Sequence, residues 1–274
     1  MDSSSPFDCL IFDLDDTLYS SKIGLAEALR KNIDDYLVEK CGFPESKASN
    51  LRYELFKTYG SSLAGLRVLG YDIDADDYHG FVHGRLPYDL IKPDSQLRNL
   101  VCNITQRKII FTNSDRNHAV KVLDRLGLKD CFEQIICFET MNPNLSKSTR
   151  PDEFPVLLKP SMDAMKIALD VADVDPRRTL FLDDNVRNVA AGKDLGLRTV
   201  LANSTCGSRN LQQLRSVGIN LKTLSCCQSS TLALHPRAHV GKESKEELDA
   251  TFASTVTCSS RNQAYIPKLQ ASSV

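Results

Sequence analysis

The chain has almost no net charge: 34 Lys and Arg stand against 35 Asp and Glu in 274 residues. A protein held to nucleic acid by phosphate contacts needs a basic excess, so that class is excluded. Long apolar runs are also lacking; none approaches the roughly 18 residues that a membrane-spanning helix requires. The first residues, Met1-Asp2-Ser3-Ser4-Ser5-Pro6, have neither the positive start nor the apolar stretch of a secretory signal. Nine cysteines are present, an odd number, with no C-x-x-C pair. A disulfide framework and a zinc site are thereby disfavoured. Cys9 and Cys137 instead sit among apolar residues, as small buried hydrophobes of a reducing compartment do, which points to cytoplasm or nucleus.

Aromatics are scarce at one end. Beyond residue 202 only Phe252 and Tyr265 remain, in a stretch rich in Ser and Thr. Such a segment can bury little, so residues 203–274 are expected to be a mostly disordered tail with at most a short helix over 242–252. Before it, short apolar runs predict five strands, at 9–12, 109–111, 135–138, 180–182 and 199–201. Helical periodicity between them predicts helices over 95–102, 117–126, 161–173 and 186–195. Continuous apolar strands alternating with helices predict an α/β fold, a Rossmann-like doubly wound parallel sheet. One connection breaks the alternation. About 90 residues separate the first two strands, and helical patterns cover 23–38, 45–58, 62–69 and 76–85, an inserted helical module expected above the carboxyl ends of the strands.

The first strand runs into Asp13-Leu14-Asp15-Asp16-Thr17-Leu18. Alternation along an extended chain points Asp13 and Asp15 the same way, and two such carboxylates repel unless a proton or a hard divalent cation intervenes, most plausibly Mg²⁺. The second strand ends in Thr112-Asn113-Ser114, whose hydroxyl and amides suit phosphate oxygens at a helix N-terminus. Lys159-Pro160-Ser161 precedes a helix and brings an ammonium to the sheet edge. The fourth strand ends in Phe181-Leu182-Asp183-Asp184-Asn185, a second acidic pair. Each signal alone has an ordinary explanation as a cap or a surface charge. Their order, each at or beside the end of a core element, is poorly explained by chance.

In these four motifs the sequence resembles the haloacid dehalogenase superfamily of phosphohydrolases over about residues 7–202. The resemblance implies a core of 7–19 and 92–202 and a small helical cap of 20–91. More narrowly, Tyr59-Gly60 with Gly65-Leu66, the stretch Phe81-Val82-His83-Gly84-Arg85-Leu86-Pro87-Tyr88, and Cys137-Phe138-Glu139-Thr140 resemble the branch of pyrimidine 5′-nucleotidases and their plant relatives.

The resemblance further implies roles. Asp13 would be the nucleophile that forms an aspartyl-phosphate, and Asp15 the acid and then base. Thr112, Asn113 and Lys159 would hold the phosphoryl group. Mg²⁺ would be bound by the Asp13 carboxylate, the Asp15 backbone carbonyl, and Asp184 or Asp183, with Asn188 supporting that pair. Dehalogenation needs no proton donor at the position of Asp15, so a phosphatase is implied. Its substrate would be a small phosphorylated metabolite, best a nucleoside 5′-monophosphate. The alternatives are another phosphate ester, or a silent phosphate-binding relative, and neither a nucleic-acid polymer nor a membrane is expected as partner. Tyr59, Arg67, His83 and Tyr88 of the cap are candidates to meet the leaving group. His79 and His83 are spaced i, i+4 as helical metal ligands can be, but lack a third ligand.

Overall fold

The structure, a computed structural model, describes residues 5–145 and 154–202. Five parallel strands form one sheet in the order β3-β2-β1-β4-β5: β1 (Cys9–Phe12), β2 (Arg107–Phe111), β3 (Gln134–Ile136), β4 (Thr179–Asp183) and β5 (Arg198–Leu201). Ile11 is opposite Ile109 on one side and Phe181 on the other. β1 is therefore central, and the order reverses around it, which opens a crevice at its carboxyl end.

Alternation along β1 feeds two separate cores. Leu10 and Phe12 face α5 (Ser95–Cys102) and α6 (Arg116–Leu126), packing with Leu97, Val101, Val122 and Leu123. Cys9 and Ile11 face the opposite layer, where α8 (Met162–Ala172) and α9 (Val186–Asp194) supply Met165, Ala168 and Ala191. Each fully buried Leu, Ile or Phe contributes about 1.5–3 kcal/mol. Central strands buried on both faces can therefore be all apolar. α6 ends where the chain must turn left-handed, at Gly127 with φ 73°, a conformation glycine adopts without steric cost.

Between β1 and α5 lie α1 (Leu25–Glu39), α2 (Glu45–Tyr59), α3 (Ser62–Val68) and α4 (Ala75–Val82), with short 3₁₀ turns at Ser21–Ile23 and Tyr88–Leu90. Ser61 and Asp74 cap α3 and α4 by accepting from Ala64 and Asp77 amides. Their apolar sides meet in a third core around Tyr36, Leu37, Leu55, Leu66 and Phe81. Tyr36 packs edge-on to Tyr78 and Phe81, with centroids 4.9 and 5.2 Å away. Each such pair contributes roughly 0.5–1.5 kcal/mol beyond its burial. Phe138, two residues past the end of β3, joins this core.

The structure corrects several expectations. α4 stops at Val82 rather than 85. β3 ends at Ile136, because the Cys137 amide turns back to the Thr140 hydroxyl at 3.2 Å and starts the short helix α7 (Phe138–Met141). Residues 146–153 and the predicted tail of 203–274 lie outside the described residues. No helix among the described residues is long and apolar enough to cross a membrane.

Candidate active site

β1, β2 and β4 deliver their polar residues to one crevice. Asp13 follows β1 directly and its amide donates to the Leu182 carbonyl at 2.8 Å, so it stays in register beside β4. Asp183 closes β4 and has no exposed surface. Between them lies Lys159, 4% exposed. Its Nζ donates to Asp13 Oδ1 at 2.7 Å, Asp183 Oδ2 at 2.8 Å and the Phe111 carbonyl at 2.7 Å. All three protons of the ammonium are used. Asn113, just past β2, fixes the Lys159 main chain: its Nδ2 donates to the Lys159 carbonyl at 3.0 Å, and the Lys159 amide donates to its Oδ1 at 2.8 Å.

The second oxygen of Asp13 accepts from Thr17 Oγ1 at 2.8 Å. Thr17 comes into reach because Asp16 takes a left-handed turn at φ 58°. That turn also alters the geometry read from strand alternation. Asp15 lies beyond the end of β1, and its carboxylate meets a different set of partners from that of Asp13. Tyr19 O–H at 2.5 Å and His118 Nε2 at 2.8 Å reach Oδ1, and Ser114 Oγ donates to Oδ2 at 2.8 Å.

A close acidic group remains around Asp13. Carboxylate oxygens of Asp13, Asp183 and Asp184 lie within 4.8 Å of one another. Burial, with Asp183 and Asp15 nearby, outweighs the Lys159 ammonium and pushes Asp13 up to about 8. Burial and Asp183 push Asp184 up to about 6. One ammonium thus leaves three crowded carboxylates under-compensated, the situation that a hard divalent cation relieves. The Asp183 oxygens are already committed to Lys159, to the Asn185 amide at 2.9 Å and to Asn188 Nδ2 at 3.0 Å. Asp184 and Asp13 are the more available ligands. Buried Asn188 Oδ1 has no hydrogen-bond partner, and a hydrated cation beside Asp183 would supply one. The donor set is all oxygen, which fits Mg²⁺.

Asp15 behaves differently. Burial would raise it, but His118 and the Tyr19 and Ser114 hydroxyls outweigh that cost and hold it well below the usual carboxylate range. His118 is shifted the other way, because Asp15 outweighs the burial that would lower it.

Above the crevice, cap and core enclose a cavity of about 350 Å³. Leu29, Ile33, Phe56 and Phe138 give it apolar walls, Arg30 and Arg52 add guanidinium groups, and Asn113 and Ser114 border it on the core side. Of the four cap candidates, His83 lines this cavity. Arg67 does not: it is 2% exposed and its guanidinium donates to the Ile73 carbonyl at 2.9 Å, inside the cap. Tyr59 packs in the cap core against Gly65. Tyr88 turns to His118, its O–H lying 2.9 Å from Nδ1. His79 and His83 stack at 5.5 Å but belong to no metal-binding group of three among the described residues. Thr112 is buried beside Asn113, and its Oγ1 accepts from the Ser114 amide at 3.1 Å. Asn113 spends its side-chain amide on the Lys159 loop, so only its main chain is free for a phosphate.

Sequence reasoning missed four participants: Thr17, Tyr19, Ser114 and His118. Thr17 stands inside the first motif, four residues from Asp13, and a helical-turn reading of 13–17 would have found it. His118 is 103 residues from Asp15, and no local signal joins them.

Comparison with known proteins finds relatives of the chain. A family model described as haloacid dehalogenase-like hydrolase matches residues 7–196. Phosphate metabolism protein 8 of Saccharomyces cerevisiae is 28% identical over 199 residues, covering 69% of this chain and 60% of that protein. N-acetylmuramic acid 6-phosphate phosphatase of Pseudomonas putida is 29% identical over 90 residues, 33% of this chain and 34% of that one. The chain therefore spans less than two thirds of these curated relatives. Among solved structures, a HAD phosphatase from Thermococcus onnurineus is 18% identical, with a TM-score of 0.49 over 77% of this chain and 97% of that one.

Proposed function

The chain belongs to the haloacid dehalogenase-like hydrolases, and from that membership we propose that it is a Mg²⁺-dependent phosphomonoesterase acting on nucleoside 5′-monophosphates through an aspartyl-phosphate. The observation that carries the reading is the Lys159 ammonium held between Asp13 and Asp183 beside Asp184. A phosphate dianion cannot approach these carboxylates unless positive charge compensates them. Asp13 and Asp184, with the Asp15 carbonyl, would hold Mg²⁺, which when bound screens the phosphate and polarises its oxygens.

An Asp13 oxygen attacks phosphorus as the bond to the leaving oxygen breaks; Asp15, ionised in the free site, takes up a proton from solvent as the phosphate's negative charge arrives beside it and gives that proton to the leaving oxygen. Water then attacks the aspartyl-phosphate. Asp15 takes its proton, and inorganic phosphate leaves with the Asp13 carboxylate restored. The Thr112 hydroxyl would hold a phosphoryl oxygen, and Lys159 would reach one by exchanging one of its three present acceptors. Positioning and charge compensation supply most of the acceleration in such transfers.

The cap cavity supports the nucleotide. Phe56 is 57% exposed although it lines the cavity, and a planar base would cover it by stacking. Leu29, Ile33 and Phe138 give the base apolar walls, while Arg30 and Arg52 offer donors to its polar edge. The test is phosphate release with Mg²⁺ from UMP, CMP, AMP, a hexose phosphate and an aryl phosphate. The 5′-nucleotides are expected to give the highest kcat/KM. A hexose phosphate ahead of all nucleotides overturns the substrate, and turnover of none overturns the enzyme.

A further inference from the structure

We propose that His118 is the positioning residue of Asp15, and that Tyr88 and His83 of the inserted helical segment seat its ring. The inference rests on the reading of Asp15 as acid and base.

Asp15 stands on a turn, its side chain 33% exposed, so a carboxylate there would rotate freely without partners. Of the three partners among the described residues, His118, with a side chain 3% exposed, is the one on a long core helix. Its own position is set twice. Its amide donates to Asp115 Oδ2 at 3.2 Å, where Asp115 caps α6. Its Nδ1 meets the Tyr88 hydroxyl, which leaves Nε2–H for Asp15. In a neutral ring Tyr88 donates to Nδ1; in an imidazolium Nδ1–H donates to the phenol oxygen. Either way the proton on Nε2 points at Asp15.

The cap enters by a second route. His83, at the end of α4, bonds Asp115 through Nδ1 and lies against the His118 ring at a centroid distance of 4.5 Å. Asp115 therefore ties a cap side chain to the main chain of His118. Ser114, which holds the other Asp15 oxygen, also borders the cap cavity. This places the carboxylate between the phosphate-binding turn and the space for the leaving group.

An aligned acid matters most for a poor leaving group, because an aryl oxide departs without a proton whereas an alkoxide does not. Kinetics at one pH on an aryl phosphate and an alkyl phosphate thus separate alignment from general damage. Asp15→Asn should lose on the order of 100-fold more on the alkyl ester than on the aryl ester. His118→Gln and His118→Ala should show the same bias at about 10-fold, and Tyr88→Phe at about 3-fold. Tyr88→Phe should add nothing in the His118→Gln background, since both act on one contact. Equal losses on both esters for the His118 variants overturn the proposal. If those variants do not fold, an unbiased Tyr88→Phe overturns it. An unbiased Asp15→Asn refutes instead the acid assignment on which the proposal rests, so the two failures are told apart.

Discussion

Replacing Asp13 by Asn should stabilise the folded chain. In the metal-free chain the Asp13 carboxyl is pushed up to about 8 by burial among Asp183 and Asp15, while in the unfolded chain it ionises near 3.8. Between those values the folded state binds the extra proton, so stability falls as pH rises from about 4 to 8. At pH 7 the gap of roughly 3 pH steps, at 1.36 kcal/mol each, bounds the cost at about 4 kcal/mol. Asp13→Asn removes the titration but weakens the contact with Lys159, which leaves a net gain of roughly 1–3 kcal/mol. For a domain of this size that raises Tm by about 6 °C. Circular dichroism melts in chelator at pH 5, 6, 7 and 8 measure it. The advantage of Asp13→Asn should be smallest at pH 5 and grow with pH, while phosphate release is lost. Parallel curves, or a wild type more stable at pH 8, would refute the reasoning.

Lys159→Met leaves Asp13 and Asp183 buried with no ammonium and should cost about 3–5 kcal/mol at pH 8. The loss in Tm should be smaller at pH 5, where Asp13 takes up a proton; an unchanged Tm at pH 8 would contradict the pairing. At the proposed site Mg²⁺ would compete with protons for Asp13 and for Asp184, which sits at about 6. Its stabilising shift in Tm should therefore be larger at pH 8 than at pH 5 and should shrink in Asp184→Asn. Gly84→Ala would bring a Cβ within 2.1 Å of the Gly80 carbonyl oxygen, a backbone clash expected to lower stability by about 2 kcal/mol in a thermal melt.

The strands were legible because burial on both faces leaves a continuous apolar signature. All five appear within two residues of where the runs 9–12, 109–111, 135–138, 180–182 and 199–201 place them. The cap helices were legible by periodicity. What failed was orientation. Asp13 and Asp15 look equivalent in an extended chain, yet the left-handed turn at Asp16 belongs to a chain that has already left the strand. Arg67 resembles a ligand by composition, and only the packing of α3 reveals that its guanidinium serves the Ile73 carbonyl. The histidine network could not be read, because its contacts join segments whose proximity depends on how the cap docks.

The crossover around β1 has a consequence for biosynthesis. Asp13 leaves the ribosome 146 residues ahead of its countercharge. At about 5–20 residues per second the nascent chain waits roughly 7–30 s for that ammonium, and β4, which closes the crevice, emerges later still. No fragment ending before Asp183 can hold the finished constellation, so a chain interrupted in synthesis presents Asp13 without the full set of its partners.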